Sequence, residues 1–202
     1  MNDGRLPLPV VDALELDEAH REVLKPGELL PDPNGRLRRL PRFFYRIDSW
    51  SAAQSIQLAE HFSLSEFIRV DVREASLLRV FPRYVPCAIP LIAAHLELLR
   101  RETGAFVHIA ANGGYRTPAH RLTDHASPHC WGTAANIFRV GDELLDTEEK
   151  IDYYARIAAR VLPGVWIRPY GHDKGMADDH LHIDLGYTVA VPRSAASEAE
   201  AA

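Results

Sequence analysis

The sequence predicts an α+β fold in which helices pack on one small, mostly antiparallel sheet. Residues 86–103 place apolar side chains at helical spacing, whereas residues 106–110 and 132–138 are short segments with the composition or the alternation of strands. The chain has 202 residues, of which 47% are hydrophobic and 25% charged. These values are typical of a globular protein with one sizeable core, so we expect one domain with extensions.

Two helices are predicted from their apolar periodicity. The first covers residues 86–103 and is followed by Gly104, a C-terminal stop signal. Its core-facing side chains are Ile89, Ile92, Ala93, Leu96 and Leu99. The second begins at Asp146, where D-T-E-E supplies an N-cap and a glutamate at the third helical position. Its apolar stripe consists of Ile151, Tyr154, Ala155 and Ala158.

Four short segments are predicted to be strands. The run F-V-H-I-A, residues 106–110, is rich in β-forming residues and leads into an N-G-G turn, and G-T-A-A-N-I-F, residues 132–138, alternates as a strand does. Two later segments, V-W-I-R-P-Y at 165–170 and H-L-H-I-D-L at 180–185, flank the turn-rich residues 171–179. We expect these strands to form the sheet.

The two ends of the chain differ from the middle. Residues 1–60 mix prolines, charges and turn residues without a lasting period, which predicts an extended N-terminal arm over a domain at 61–190. An aromatic cluster is expected to anchor the arm on the domain or on a protein partner; its members are Phe43, Phe44, Tyr45 and Trp50. Residues 191–202 have little to bury and are expected to be disordered.

Composition excludes some classes of function. A formal charge of -5 and a pI near 6.0 argue against nucleic-acid binding, which needs clustered Lys and Arg. No apolar run reaches the length of a membrane span, and the first twelve residues lack the pattern of a signal peptide. The chain is therefore expected to be cytoplasmic as synthesised, and a phage origin or export by a partner system remain alternatives. Cys87 and Cys130 are expected to be free buried thiols.

The segment S-P-H-C-W-G-T-A-A-N-I-F, residues 127–138, combines candidate metal ligands with a bend. His129 and Asn136 cannot bind one metal from a continuous helix, because seven residues rise about 10 Å. Gly132 supplies a bend between them. A strand beginning after that glycine would direct residues 134, 136 and 138 to one side.

A second candidate segment is D-D-H-L-H-I-D, residues 178–184. The period of two in a strand places His180, His182 and Asp184 on the same face, with Asp179 at the mouth of the strand. A histidine pair alone is weak support for a metal site. Flanking acids and a separate histidine loop strengthen it.

Together these segments resemble the zinc D-alanyl-D-alanine carboxypeptidase family, the M15 or VanY-like peptidases. Residues 127–136 resemble the signature S-x-H-x-x-G-x-A-x-D, and D-H-x-H at 179–182 is similar to the second signature. G-G-Y-R at 113–116 resembles the S-G-Y-R that precedes the first, and F-S-L-S-E-F at 62–67 resembles the start of the domain. The resemblance covers about residues 61–187 and implies the fold of that family, shared by hedgehog and DD-peptidase domains.

The resemblance also implies a set of roles. The zinc ligands would be His129, Asn136 and His182, which leave a position open for a water molecule. Asp179 would act as the general base and His180 as a nearby stabiliser. Substrate would be bound by Arg116, which suits a peptide carboxylate, and by Tyr115, Ser127 and Trp131. For Trp131 a core or lid role is an equal alternative.

Two residues depart from the family pattern. Position 136 is Asn where the family has Asp, and a neutral amide oxygen binds a cation less strongly than a carboxylate. Gly113 replaces a serine near Arg116. Three outcomes stay open: an active enzyme with an Asn ligand, a site rescued by Asp184 or Asp124, or a former peptidase kept as a fold.

Two functional hypotheses follow. The first is a zinc metallopeptidase, a hydrolase acting on peptidoglycan stem peptides of the bacterial cell wall as a D-Ala-D-Ala carboxypeptidase or endopeptidase. The second is a catalytically inactive module that binds the cell wall or assists assembly, for example in a phage particle or secretion machine, with the N-terminal arm contacting a protein partner. Fold resemblance alone does not choose between them.

Overall fold

The computed structural model describes residues 6–172 and 179–191 and is an α+β fold. Six α-helices lie in these residues: α1 (Glu18–Leu24), α2 (Trp50–Ser55), α3 (Leu64–Phe67), α4 (Ser76–Arg79), α5 (Ile89–Thr103) and α6 (Glu148–Val161). Two 3-10 helices, Ala13–Glu15 and Pro128–Trp131, accompany them. Residues 192–202 of the tail predicted at 191–202, and residues 173–178 of the turn-rich segment, lie outside the described residues.

Within the described residues the strands form four small sheets, and all their pairings are antiparallel. The first seven strands are β1 (Val10–Asp12), β2 (Leu29–Pro31), β3 (Leu37–Arg39), β4 (Phe43–Arg46), β5 (Gln57–Ala59), β6 (Phe62–Ser63) and β7 (Tyr84–Pro86). The others are β8 (Val107–Ile109), β9 (Ala134–Val140), β10 (Glu143–Leu144), β11 (Trp166–Ile167) and β12 (Leu181–Asp184). The largest sheet contains these last five strands, in the order β10, β9, β12, β11, with β8 on the other edge of β9.

The five-stranded sheet positions the predicted site. β9 pairs with β12 so that Asn136 lies opposite His182 and Ala134 lies opposite Asp184. Ala135 and Ile137 point into the main core, so Asn136 and His182 lie on the other face of the sheet. The predicted period of two is therefore confirmed around residue 136.

A bulge interrupts this period farther along β9. His108 pairs with Arg139, whereas Ile109 pairs with Ile137, so Phe138 is an extra residue on β9. The bulge returns Val140 to the main core and turns Arg139 onto the same face as Asn136. Phe138 therefore stays on the outward face, as predicted, and the bulge adds Arg139 to that face.

The main core lies between the sheet and the long helices. The predicted core face of α5 is confirmed, because all five of its residues are buried, and Gly104 ends the helix in the left-handed conformation at φ 64°. The helix begins three residues later than predicted, since residues 84–86 form β7. α6 has Thr147 as its N-cap, one residue after the predicted Asp146, and buries Ile151 and Ala158.

Residues 6–60 do not form an extended arm. They contain α1, α2 and β1 to β5, and they contribute Leu24, Phe44 and Ile47 to the main core. The ring of Trp50 meets that of Phe81 edge to face at 5.4 Å. Its Nε1 donates a hydrogen bond to the carbonyl of Val80 at 3.0 Å. The aromatic residues thus pack within this chain, and the strands were missed because strands of three or four residues are too short to show a period.

Both cysteines are free and buried, as predicted. Burial raises the pKa of Cys87 to about 12 and that of Cys130 to about 11. Because the thiolate is the reactive form, we expect neither residue to react with a thiol reagent at pH 8 until the chain unfolds. Labelling in buffer and in denaturant, followed by mass spectrometry, tests this. Rapid labelling of Cys130 in the folded chain would contradict its burial behind Trp131.

In the described part of the chain, no helix is long and apolar enough to cross a membrane.

Candidate functional site

His129 lies on the 3-10 helix Pro128–Trp131, whose end is marked by Gly132 at φ 68°. The side chain is buried, and its Nδ1 donates a hydrogen bond to the carbonyl of Gly114 at 2.7 Å. This bond fixes the tautomer and leaves Nε2 with a free lone pair. Burial, with Arg116 and His182 nearby, holds the His129 pKa well below its usual range, so the ring is neutral at pH 7.

His182 is oriented by Asp184 from the same strand. Its Nε2 donates to Oδ2 of Asp184 at 2.8 Å, and Oδ1 of that carboxylate accepts from the backbone of Gly186 at 2.7 Å. Burial lowers the pKa of His182, although Asp184 opposes this change. The ring is therefore neutral, with its lone pair on Nδ1. A carboxylate behind an imidazole is the usual support for a metal-binding histidine.

The two histidines and Asn136 meet on one face of the sheet, and we call these three residues the histidine site. The rings of His129 and His182 meet edge to face, with centroids 5.2 Å apart. Nδ1 of His182 lies 2.8 Å from Oδ1 of Asn136. Both atoms are acceptors when His182 is neutral, so this approach requires a shared cation, a proton, or rotation of the amide to present its NH2 group.

The donor set of the histidine site fits a zinc ion. It offers two neutral imidazoles, each fixed by a hydrogen bond on the other nitrogen, and one amide oxygen. The weaker element is Asn136, since its oxygen carries no full charge. Asp184 does not replace it as a ligand, because its carboxylate lies at Nε2 of His182. Asp124 is exposed and pairs with His125, so neither predicted rescue residue serves.

The loop before the 3-10 helix is packed tightly against its neighbours. The carbonyl of Gly113 accepts from the backbone of Asn136 at 2.8 Å, and a Cβ on Gly113 would lie 2.8 Å from the oxygen of Ala110 and 2.9 Å from that of Asn136. There is therefore no room at position 113 for the serine of the S-G-Y-R motif that residues 113–116 resemble, unless the backbone shifts. Gly114 is tighter still, since a Cβ there would lie 2.1 Å from the oxygen of Phe67.

The loop that contains Gly113 and Gly114 places Arg116 beside the histidine site. Its guanidinium is buried, its Nε has no hydrogen-bond partner, and no carboxylate of residues 6–172 or 179–191 forms an ion pair with it. Burial lowers the pKa of Arg116, which nevertheless remains charged at neutral pH. The buried carboxylate of Glu74 attracts this cation without forming an ion pair, so the charge is only partly compensated, and its position beside two histidines favours an anionic ligand. Tyr115 is also buried, and its hydroxyl has no partner among the described residues.

Glu74 holds this loop from the other side. Its buried carboxylate accepts hydrogen bonds from the backbone and the hydroxyl of Thr117, the residue after Arg116. Sequence reasoning missed Glu74, since it lies more than 40 residues away and has no motif around it. It also missed the orienting role of Asp184, although the period of two in H-x-D placed that carboxylate beside His182.

Asp179 and His180 form a separate pair at the mouth of β12. Nδ1 of His180 donates to Asp179 at 2.7 Å, and its Nε2 accepts from Arg168 at 3.1 Å. His180 is largely buried, whereas the Asp179 side chain is 70% exposed. A charge on His180 would lower the pKa of His129, and a charge on His182 would lower that of His180, so the pair borders the histidine site.

Trp131 does not line a substrate cleft. The ring is fully buried, donates a hydrogen bond to the carbonyl of Arg39 at 3.1 Å, and contacts Tyr187 edge to face at 4.9 Å. With Leu40 and Cys130 it forms a second small core, so of the two roles that the sequence left open for Trp131 the structure shows the core role. Ser127 is half-buried and precedes the 3-10 helix as its N-cap.

A possible metal-binding triad lies elsewhere, at the β5–β6 turn and α5. Among the His, Cys, Asp and Glu side chains of the described ranges, one group of three is close enough to share an ion. It consists of Glu60, His61 and Glu97. His61 donates to Glu97 at 2.8 Å. Arg101 pairs with Glu60 at 2.8 Å and approaches Glu97 at 3.5 Å. An arginine thus already supplies the positive charge that an ion would bring.

Comparisons with known proteins gave no match: no family model, no curated protein and no solved structure matches the chain.

Proposed function

We propose that the chain binds the carboxyl end of a peptidoglycan stem peptide at Arg116 and presents its last peptide bond to a zinc ion at the histidine site. The observation that carries this proposal is the buried guanidinium of Arg116, which has no ion-pair partner in the described residues and lies beside His129. A carboxylate accepts two parallel hydrogen bonds from such a group. The activity is that of a zinc D-Ala-D-Ala peptidase.

Metal binding, substrate binding and proton transfer are assigned to different residues of the chain. His129, Asn136 and His182 would hold the metal, and Asp184 keeps the imidazole of His182 in the tautomer whose Nδ1 is free. Zinc bound there would lower the pKa of a water molecule towards 7. Arg116 binds and orients the peptide carboxylate. Asp179, which is hydrogen-bonded to His180 at the border of the site, would accept the proton that this water molecule releases.

One observation favours a second candidate, a non-catalytic module that binds the same peptide. Asn136 lacks the charge of the family's aspartate, which weakens zinc binding but leaves Arg116 unchanged. Such a module would bind a D-Ala-D-Ala peptide without cleaving it.

Arg116→Gln separates both candidates from a purely structural role. We expect it to weaken the affinity for a peptide ending in D-Ala-D-Ala by about 10- to 100-fold, because a charge-assisted pair is lost. Titration calorimetry measures the affinity, and product release with added zinc measures cleavage. Arg121→Gln, an exposed arginine nearby, is the matched control.

The outcomes distinguish the candidates. Binding with zinc-dependent cleavage supports the peptidase, whereas binding without cleavage supports the module. Equal affinity of the unaltered chain and the folded Arg116→Gln variant would overturn both.

A further inference from the structure

A cavity of about 390 Å³ opens beside the bulge between β8 and β9. Its titratable and aromatic lining residues are Glu66, Arg69, His108, Phe138 and Arg139. We call it the cationic cavity. Its volume lies at the lower end of the range for small-molecule sites. None of its lining residues belongs to the histidine site, so the two are separate sites.

The bulge at Phe138 brings a buried cation into the cavity. In a regular strand residue 139 would point into the core with Ile137, but the extra residue turns Arg139 outwards beside His108. The guanidinium Nε of Arg139 is buried and has no hydrogen-bond partner among the described residues. Its Nη2 lies 3.4 Å from Nε2 of His108, a long contact that leaves most of its donor capacity unused. A ligand oxygen would supply the acceptor that this group lacks.

Two further guanidinium groups lie around the cavity. Arg69 lines it together with Arg139, and neither forms an ion pair with a carboxylate of residues 6–172 or 179–191. The guanidinium of Arg100 lies 4.2 Å from the centre of the Phe106 ring, next to His108 on the same strand. Burial, and then the charge of Arg139, lowers the pKa of His108, and Arg100 and Arg69 act in the same direction. All three cations are therefore close enough to act on one ring.

The one acidic lining residue, Glu66, does not neutralise this charge. Its Oε1 accepts hydrogen bonds from the backbone of Ser63 at 2.8 Å and from the Ser63 hydroxyl at 3.2 Å. These contacts form the capping box at the start of α3, and they hold the carboxylate on Ser63 rather than on an arginine. One negative charge thus opposes three positive charges, and the cavity favours a ligand with more than one negative charge.

We infer that the cationic cavity binds a phosphate monoester. A phosphate monoester carries three terminal oxygens and a charge of about -1.5 to -2 at pH 7, so it can pair with Arg69 and Arg139 at once. A carboxylate has one charge and occupies a single guanidinium fork. Ile109 and Phe138 add apolar surface for the group that the phosphate esterifies. Phosphate binding here is independent of the proposed function, because the histidine site contributes no lining residue.

A titration of the 15N-labelled full chain, freed of metal with EDTA and dialysed, tests this at pH 7. The probes are phenyl phosphate, inorganic phosphate and benzoate. We expect phenyl phosphate to shift the Nε–H signal of Arg139 saturably and to bind at least about tenfold more tightly than benzoate, because it makes a second charge-assisted pair. It should also bind about tenfold more tightly than inorganic phosphate, because its ring buries apolar surface. The signal of Arg116 reports separately on anions at the histidine site.

Titration calorimetry of variants assigns the binding to the two lining arginines. Arg139→Gln should weaken phenyl phosphate binding by about tenfold or more, and Arg69→Gln by about threefold or more, since Arg69 is exposed. The exposed position of Arg69 keeps the test valid even if Arg139→Gln fails to fold. Arg36→Gln, at an exposed hairpin, removes the same charge elsewhere and should leave the affinity unchanged.

Four results would each overturn the inference. Benzoate binding as tightly as phenyl phosphate would identify a carboxylate as the ligand. Inorganic phosphate binding as tightly would identify free phosphate, not a monoester. A shift at Arg116 with none at Arg139 would place the anion at the histidine site. Equal affinity of the unaltered chain and a folded Arg69→Gln variant would show that the cavity's arginines do not act together on one ligand.

Discussion

Asn136→Asp is expected to increase zinc affinity by at least about 10- to 100-fold. Loss of a hydrogen-bond partner of a metal ligand typically lowers metal affinity by about 10- to 100-fold. A charge added on a ligand itself should change the affinity by at least as much. An aspartate at position 136 would need no rearrangement to serve as a ligand, because Oδ1 of Asn136 already lies 2.8 Å from Nδ1 of His182. The carboxylate is nearly the same shape as the amide, so the strand pairing with β12 should not change.

Zinc per chain after dialysis, together with calorimetric titration, measures this effect. Asn34→Asp, in an exposed turn outside the histidine site, adds the same charge and should leave the affinity unchanged. Tight stoichiometric zinc in the unaltered chain would show that Asn136 is already a sufficient ligand. Absence of zinc in both chains would show that the histidine site is not a metal site, which leaves the peptide-binding module.

The elements that sequence reasoning predicted are those with strong local periods. The apolar spacing of α5 and its closing Gly104 are both found in the structure. The period of two at 180–184 correctly placed His182 and Asp184 on one face, and Gly132 supplies the predicted bend. These predictions succeeded because the pattern and the structure depend on the same few neighbouring residues.

The elements that were missed depend on contacts distant in sequence. Glu74 supports the Arg116 loop from more than 40 residues away, and the choice between the two roles left open for Trp131 is decided by its contacts with Tyr187 and Arg39. The bulge that turns Arg139 outwards has no local signal, since one extra residue in a strand is defined only by its partner strand. The outward position of Arg139 could therefore not be predicted from the sequence.

Gly114→Ala is expected to destabilise the fold by about 3 kcal/mol or more, because two rigid backbone segments meet at this residue. A Cβ would lie 2.1 Å from the oxygen of Phe67 and 2.7 Å from its carbonyl carbon. That oxygen also accepts a hydrogen bond from the backbone of Tyr115 at 2.7 Å, and the Phe67 side chain is buried in the main core. Neither segment can withdraw without losing these contacts. The change would also displace the Gly114 carbonyl that orients His129.

Urea denaturation measures the loss, and the melting temperature should fall by about 6 to 12 °C for a chain of this size. Gly164→Ala is the matched control, because Gly164 has nothing within 4 Å of the added Cβ and differs only in its φ of +71°. It should cost about 1 to 2 kcal/mol, the penalty of a left-handed backbone alone. The excess for Gly114 is then the steric contribution of the close approach to Phe67. Equal losses in the two variants would mean that α3 can move away from the Arg116 loop, and the loop would not be the rigid support that the proposed site requires.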